Sequence, residues 1–497
     1  EFVLKENVKF DDCYKLCLPN LESEYAGTSK YDRPEMNLAD DHRFDLKIAF
    51  EWAVKHFRVC NNSRVVSLEE ATANAVKSTS SGFPWFKKYK DKGAALKDVG
   101  VKVLSTRWED LVQPDCPPCI WRGTAKFERR HVDKLNHDPP KLRVFTASPF
   151  EHSVLLARLC LDTNQKFYDA GTQTWSFVGQ STYFRGFDRL YKRLNKHPNG
   201  FELDESAYDA SLSASLLEGC FWWRWRCLQE IDKTPENFNR LYVLYRDIID
   251  SYILCGNGDV IQKHRGNPSG SANTVVDNTF ILFWIFAYAF IRLSKGKVNV
   301  NGNGYGYDSF VNNVEAALYG DDNTFTVSDE IVGFFNAKNI ASIWSELGVI
   351  TNSGTGSWEP SELCNLQFLS QGFKMCCGVW CAVPNRDKAL SSLLNANPTS
   401  DPRYALLRAY ALRIQTWPDP ELRDIVARYI NFIEIKYAKN LVGNYKNISM
   451  NDIRSVYKTD FEIRFLYIGN EEYRKNFIIS WQCDKIPIIK ELMVKLN

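Results

Sequence analysis

The chain has 497 residues, 44% hydrophobic, 14% aromatic and 25% charged, a balance that excludes a disordered or collagenous chain and is enough for a large core. At this length two to four domains are expected, or one large body with insertions. The net charge is only +2, which excludes a globally basic nucleic-acid binder, so any basic surface has to be local.

In chain order, loop-rich stretches around Ser78 to Pro84 and Pro114 to Pro118 interrupt a mixed N-terminal part. Local basic candidates are the Lys87, Lys88, Lys90, Lys92 cluster and the run from Lys126 through Arg129, Arg130 and Lys134 to Lys141 and Arg143; taken alone, such runs are solvated faces more often than binding sites. Fourteen scattered cysteines and an N-terminus without a charged-then-apolar signal predict reduced thiols in a cytosolic setting, without disulfides. Cys116-Pro-Pro-Cys119 has the spacing of half a zinc site, and Cys376, Cys377 and Cys381 form a second group. Neither has a second CxxC pair or a ligand histidine nearby along the chain, so structural zinc is not expected. The first residue is Glu1 rather than Met, which fits release from a precursor or a trimmed chain.

From Phe201 the patterning sharpens. Phe201 to Asp204 reads as a short strand, followed by a small-residue turn around Ala210 and a helix through Leu216, Leu217, Phe221 and Trp225. Ser251 to Gln262, with Gly256-Asn257-Gly258-Asp259 in its middle, predicts a β-hairpin; the loop Gly266 to Gly270 then feeds a helix starting near Ser271. The apolar stretch Thr279 to Ile291 is too short to span a bilayer and reads as a buried helix. Val314 to Leu318 and Asn323 to Val327 predict a hairpin whose tip is Tyr319-Gly320-Asp321-Asp322. A helix is expected from Ile331 to Leu347, a strand at Val349-Ile350, and a strand or hairpin over Leu366 to Cys381. Helices are then expected over Lys388 to Leu394, Arg403 to Trp417, Glu421 to Lys439 and Asn451 to Tyr457. No internal repeat is visible.

Two carboxylates at a hairpin tip and a third, Asp204, at a strand end are what two-metal phosphoryl transfer needs, because two divalent ions about 4 Å apart require clustered oxygen ligands. Taken alone, Gly-Asp-Asp is equally a turn.

The motifs in order resemble the RNA-dependent RNA polymerases of positive-strand RNA viruses, in particular the picornavirus, calicivirus and astrovirus group. Asp204 to Asp209 is similar to the family's DxxxxD motif A. Gly266-Asn267-Pro268-Ser269-Gly270 with Thr274 and Asn278 is similar to motif B, and Tyr319-Gly320-Asp321-Asp322 to motif C. Thr79 to Pro84 looks like the template-entry motif G. Lys126-Phe127-Glu128 with Arg130, Lys141 and Arg143 looks like motif F, and Phe368-Leu369-Ser370 like the primer-grip motif E. The resembling span runs from about residue 79 to 374; chain length and the form of motif B are closest to astroviruses.

The resemblance implies an α+β fold, a closed right hand. Its fingers would be residues 1–150 and an insertion at 253–268, its palm 151–252 and 269–375 with an antiparallel sheet, and its helical thumb 376–497. It implies that Asp204, Asp321 and Asp322 hold Mg²⁺, or Mn²⁺ in its place. Lys126, Arg130 and Arg143 would hold the triphosphate, with Glu128 orienting them. Asp209 and Asn278, with Ser269 or Thr274, would bond the ribose 2′-hydroxyl, which is both donor and acceptor. Ser80, Gly82, Pro84 and Gly270 would contact template, Gly270 through backbone freedom. The implied partners are template and nascent RNA, ribonucleoside triphosphates, a protein primer and other viral replication proteins, in a membrane-associated replication complex in the host cytoplasm. One departure stands out: related enzymes carry a motif D lysine proposed as general acid, whereas no Lys, Arg or His lies between Asn339 and Phe373, with Lys338 and Lys374 flanking the gap. The rivals are a reverse transcriptase, expected to have a bulky 2′-OH gate near Asp209, and a silent RNA-binding relative, expected to have lost a metal carboxylate.

Overall fold

The computed structural model describes residues 2–6, 8–9, 11–34, 36, 38–394, 401–437, 441 and 457–469. Its strands are β1 (Tyr14–Leu16), β2 (Ile120–Ala125), β3 (Arg129–His131), β4 (Val144–Ala147), β5 (Asn199–Glu205), β6 (Tyr252–Leu254), β7 (Val260–Gln262), β8 (Val314–Tyr319), β9 (Asp322–Val327), β10 (Thr351–Ser353), β11 (Gln367–Phe368), β12 (Gln371–Cys376) and β13 (Val379–Pro384). Helices dominate the rest, giving the mixed α and β architecture expected.

An antiparallel sheet ordered β10-β5-β9-β8 lies at the centre. Leu203 pairs with Asn323, and Tyr319 with Asp322, so the end of β5 meets the turn of the β8–β9 hairpin. Behind it runs the helix Thr274–Ser294, apolar on nearly every face and buried along most of its length. Such a helix needs cover on all sides, and it packs on the helices Asp40–His56, Ala214–Cys227 and Ala337–Glu346 and on β8. It is longer than the apolar run suggested: by length and composition it could cross a membrane, yet 83% of its apolar window is buried in the fold. Its buried Asp277 is held by the Arg224 guanidinium at 2.7 Å and by the Tyr245 hydroxyl at 2.8 Å, which meets the requirement that an interior charge be paired.

A second sheet, ordered β4-β2-β6-β7, joins the hairpin near residue 256 to strands from before residue 150, with β6 parallel to β2. The N-terminal β1 pairs with β3. Beyond β13 the helices Pro402–Thr416 and Pro420–Lys436 pack as a pair, each opened by an aspartate cap, Asp401 or Asp419, followed by proline at the first helical position. All the described cysteines are free thiols.

Some expected boundaries shift. The helix expected from Ile331 begins at Ala337, because Asn336 caps it by accepting from the Asn339 N–H at 3.1 Å, while 331–336 form turns. The strand expected at Val349-Ile350 is instead β10, since the Val349 N–H is bonded back to the Trp344 carbonyl at 3.1 Å and closes that helix. The helix expected to reach Lys439 is described to Lys436. Of the expected helix Asn451 to Tyr457, all but Tyr457 lies outside the described residues, and Tyr457 itself is not helical.

Candidate active site

Asp204 lies near the end of β5 and Asp321 in the turn between β8 and β9. Gly320 makes that turn with φ +67°, and its N–H is received by the Thr279 hydroxyl at 2.7 Å, which ties the tip to the central helix. Asp322 opens β9 and accepts from the Leu369 backbone. The carboxyls press on one another. Asp321 is raised first by burial, then by the charges of Asp209 and Asp204, against a lowering by Arg143. Asp322 is pushed up to about 7 by burial, with Asp321 and Glu202 adding to it. Glu205, only 6% exposed, is pushed well above the carboxylate range by burial and then by Asp321 and Asp204, while the Asn323 side-chain amide donates to it at 3.0 Å. Crowded carboxyls that raise each other fit a site for divalent cations, which would relieve the repulsion. The oxygen-only donor set of Asp204, Asp321 and Asp322 suits Mg²⁺ or Mn²⁺.

Asp209 is held by Lys30, whose ammonium lies 3.0 Å from Oδ2, and by the Ala210 N–H at 3.0 Å. Asn267 bridges it to Asn278: its backbone N–H donates to the Asp209 carbonyl at 2.7 Å and its side-chain amide to Asn278 Oδ1 at 2.9 Å. Motifs A and B therefore meet through a residue that the sequence reading assigned no role. The Thr274 hydroxyl donates within the loop, with the Pro268 and Ser271 carbonyls at 2.8 Å and 3.0 Å, which leaves half-buried Ser269 as the freer hydroxyl for a ribose. At Gly270 φ is ordinary and a Cβ would lie 2.0 Å from the Thr146 carbonyl oxygen, so close approach to β4 is by itself a reason for glycine.

Glu128 Oε1 lies 3.7 Å from both Arg130 and Arg143, and the Lys126 N–H donates to the Arg143 carbonyl at 2.8 Å. Burial and the neighbouring Arg143 lower Arg130, a crowding of cations that an anion would relieve. Since Arg143 also lowers Asp321, the basic cluster and the carboxylates act on the same space. The segment with Ser80, Gly82 and Pro84 lies beside β4: Ser81 accepts from the Phe150 N–H at 3.0 Å, and Gly82, at φ +73°, leaves no room for a Cβ, which would sit 2.3 Å from the Ser148 carbonyl oxygen. Of the lysines flanking the motif D gap, Lys374 is paired with Asp419 at 2.6 Å. The lysine whose field reaches Asp322 is Lys388, lowered by burial and then Arg143 but raised by Asp322 and Asp204, with its ammonium 3.0 Å from the Ser370 hydroxyl.

Among known proteins, the family model for viral RNA-dependent RNA polymerase matches residues 8–432. The chain is 25% identical over 497 residues to genome polyprotein 1 of Barley mild mosaic virus (strain Na1), covering 97% of this chain and 20% of that protein. It is 28% identical over 348 residues to the genome polyprotein of Zucchini yellow mosaic virus (strain Reunion Island), covering 68% and 10%. The chain thus spans a fifth or less of these two polyproteins. In fold it is similar to the Sicinivirus 3Dpol RNA dependent RNA polymerase, with TM-score 0.69, 15% identity and coverage of 90% of this chain and 92% of that one. With the match running over most of its length, the chain belongs to the viral RNA-dependent RNA polymerase family.

Proposed function

We propose that this chain copies viral RNA, extending a 3′-hydroxyl with ribonucleoside triphosphates on an RNA template and releasing pyrophosphate. The observation that carries the reading is the crowding of Asp204 and Asp209 on Asp321 and of Asp321 on Asp322, with Arg143 acting on Asp321. Asp204 and Asp321, with Asp322, would hold two divalent ions, Mg²⁺ or Mn²⁺, which when bound activate the attacking hydroxyl and neutralise the triphosphate. Arg143 and Arg130, aligned by Glu128, orient phosphate oxygens, with Lys126 adding charge. Asp209 accepts from the ribose 2′-hydroxyl and Asn278, with Ser269, donates to it, which selects ribonucleotides. Ser80, Gly82, Pro84 and Gly270 line the template's approach.

In this reading residues 1–150 and the insertion at 253–268 are fingers; the sharing of one sheet by β2, β4, β6 and β7 supports that grouping. Residues 151–252 and 269–375 form the palm, and 376–497 the thumb. The relatives are polyproteins, which supports release of this chain from a precursor and work beside other viral replication proteins, with a protein primer among the candidate partners. Its place would be a membrane-associated complex in the host cytoplasm, reached through those partners. The narrower likeness to astroviruses rests on the form of motif B and chain length alone.

The test is incorporation of labelled ribonucleotide on a poly(C) template, with and without primer, in Mg²⁺ and in Mn²⁺, for wild type and Asp321→Ala. Template-dependent synthesis that Asp321→Ala abolishes is expected. A wild type that binds RNA but incorporates nothing with either metal would replace this reading by that of a silent RNA-binding protein.

A further inference from the structure

Along the sequence, Cys116-Pro-Pro-Cys119 has no ligand histidine within reach; the fold supplies one. Cys119 immediately precedes β2, His152 sits in the first turn of the helix Phe150–Asp169, and Asp247 in the last turn of Pro235–Ile249. One ligand atom from each lies within 4.8 Å of the other two. His152 is 2% exposed and Asp247 1% exposed, so this is an interior cluster rather than a chance meeting of surface groups.

The state of His152 is the informative detail. Its Nε2 lies 3.1 Å from the Leu244 carbonyl, which can only accept, so Nε2 carries the proton and Nδ1 the lone pair. Nδ1 is buried and has no hydrogen-bond partner. An imidazole whose N–H is fixed on a backbone carbonyl, leaving a bare nitrogen in a buried cluster with a thiol and a carboxylate, has the outer-sphere arrangement of a metal ligand. Asp247 also accepts from the Cys119 N–H at 3.2 Å, and its two oxygens lie 3.1 Å from Arg246 and 3.7 Å from Arg107. Arg107 in turn donates to Cys116 Sγ at 2.9 Å, which brings the second cysteine to the same guanidinium.

We propose that Cys119, His152 and Asp247 bind a zinc ion. A set of thiolate, imidazole and carboxylate suits a borderline-soft tetrahedral cation and not Mg²⁺, which separates this site from the oxygen-only cluster around Asp321. On ligation Cys119 exchanges its Sγ–H bond for an Sγ–metal bond, and the proton passes to solvent. The ion would fasten the entry of β2 to two helices, and Lys126 directly follows β2 while Arg143 directly precedes its partner β4. The site would therefore brace the strand pair whose far ends lead into the basic cluster of Lys126 and Arg143.

The experiment is elemental analysis of the full chain purified without chelator, for wild type, Cys119→Ser, His152→Asn and Asp321→Asn, together with the absorption spectrum of the chelator-stripped wild type after Co²⁺ addition. About one zinc per chain in wild type and Asp321→Asn, lost in the other two variants, and a thiolate-to-cobalt charge-transfer band are expected. Substoichiometric zinc in the wild type with no such band would overturn the proposal, as would full zinc retention by Cys119→Ser. Should the two ligand variants fail to fold, the zinc content and cobalt spectrum of the wild type decide alone.

Discussion

Lys30 and Asp209 stand 179 positions apart in the chain and 3.0 Å apart in space. The ammonium fixes a carboxylate that also accepts from the Ala210 N–H, and a charge-assisted bond of this kind contributes about 1.5–3 kcal/mol. Lys30→Met is expected to raise KM for ribonucleotides about tenfold and to weaken discrimination against deoxyribonucleotides, with Lys30→Arg restoring part of both; parallel kinetics with the two nucleotide classes check this. An unchanged ribose preference would remove Asp209 from sugar recognition. Thr279 is a similar case, since its hydroxyl receives the Gly320 N–H next to Asp321. Thr279→Val strands a buried donor at a cost of about 1–3 kcal/mol, and a roughly tenfold loss in kcat with little change in KM is expected from single-turnover assays. Asp204, Asp321 and Asp322 were legible in the sequence because their motifs are contiguous. Lys30, Asn267, Thr279 and Glu205 were not, because each acts through a contact that only the fold creates.

At the scale of elements, the loop leading into motif B is pinned from below. Lys263, 3% exposed, donates to the carbonyls of Ile249 and Gly266 at 3.0 and 2.8 Å and to that of Ile248 at 2.5 Å. Lys263→Met leaves those carbonyls without their donor and is expected to lower stability by about 3 kcal/mol, read by urea unfolding. Burial pushes the Lys263 ammonium down to about 7 from the 10.5 of a free lysine. Between those values the unfolded chain binds the proton that the folded chain gives up, so this group makes stability rise with pH from about 7 to 10, by up to about 1 kcal/mol per pH unit, and contributes no slope below 7. The difference between wild-type and Lys263→Met unfolding curves across that window isolates the effect; parallel pH profiles would refute it. Strands and helices with clean periodicity, such as β5, β8, β9 and the central helix, were readable in outline. Three-residue strands such as β1, β3 and β10 are too short to show a period, and the start of the Ala337–Glu346 helix depended on which asparagine caps it.

Over the whole molecule, the first sixteen residues connect regions far apart in sequence. Phe2, 4% exposed, meets Tyr429 edge to face at 5.0 Å, Glu6 pairs with Arg428 at 3.2 Å, the Tyr14 carbonyl accepts from the Ser391 hydroxyl at 3.0 Å, and β1 lies against β3. Phe2→Ala is expected to cost about 3 kcal/mol and to speed amide exchange selectively in the helices Pro402–Thr416 and Pro420–Lys436, as mass spectrometry of exchanged peptides would show. Protection unchanged in those helices would mean that they stand without this segment. The α+β class and the antiparallel central sheet were readable from the order of motifs, whereas this connection was not, because its residues carry no motif and little periodicity.

In the proposed hand, that N-terminal segment would work as a clasp between β3 and the C-terminal helices. An RNA strand lying between the basic cluster and those helices would then be threaded rather than gripped, and would leave by sliding off an end or by unfastening the clasp. Linear RNA would enter and depart freely on those terms, while a covalently closed circle would be admitted only when that segment lets go.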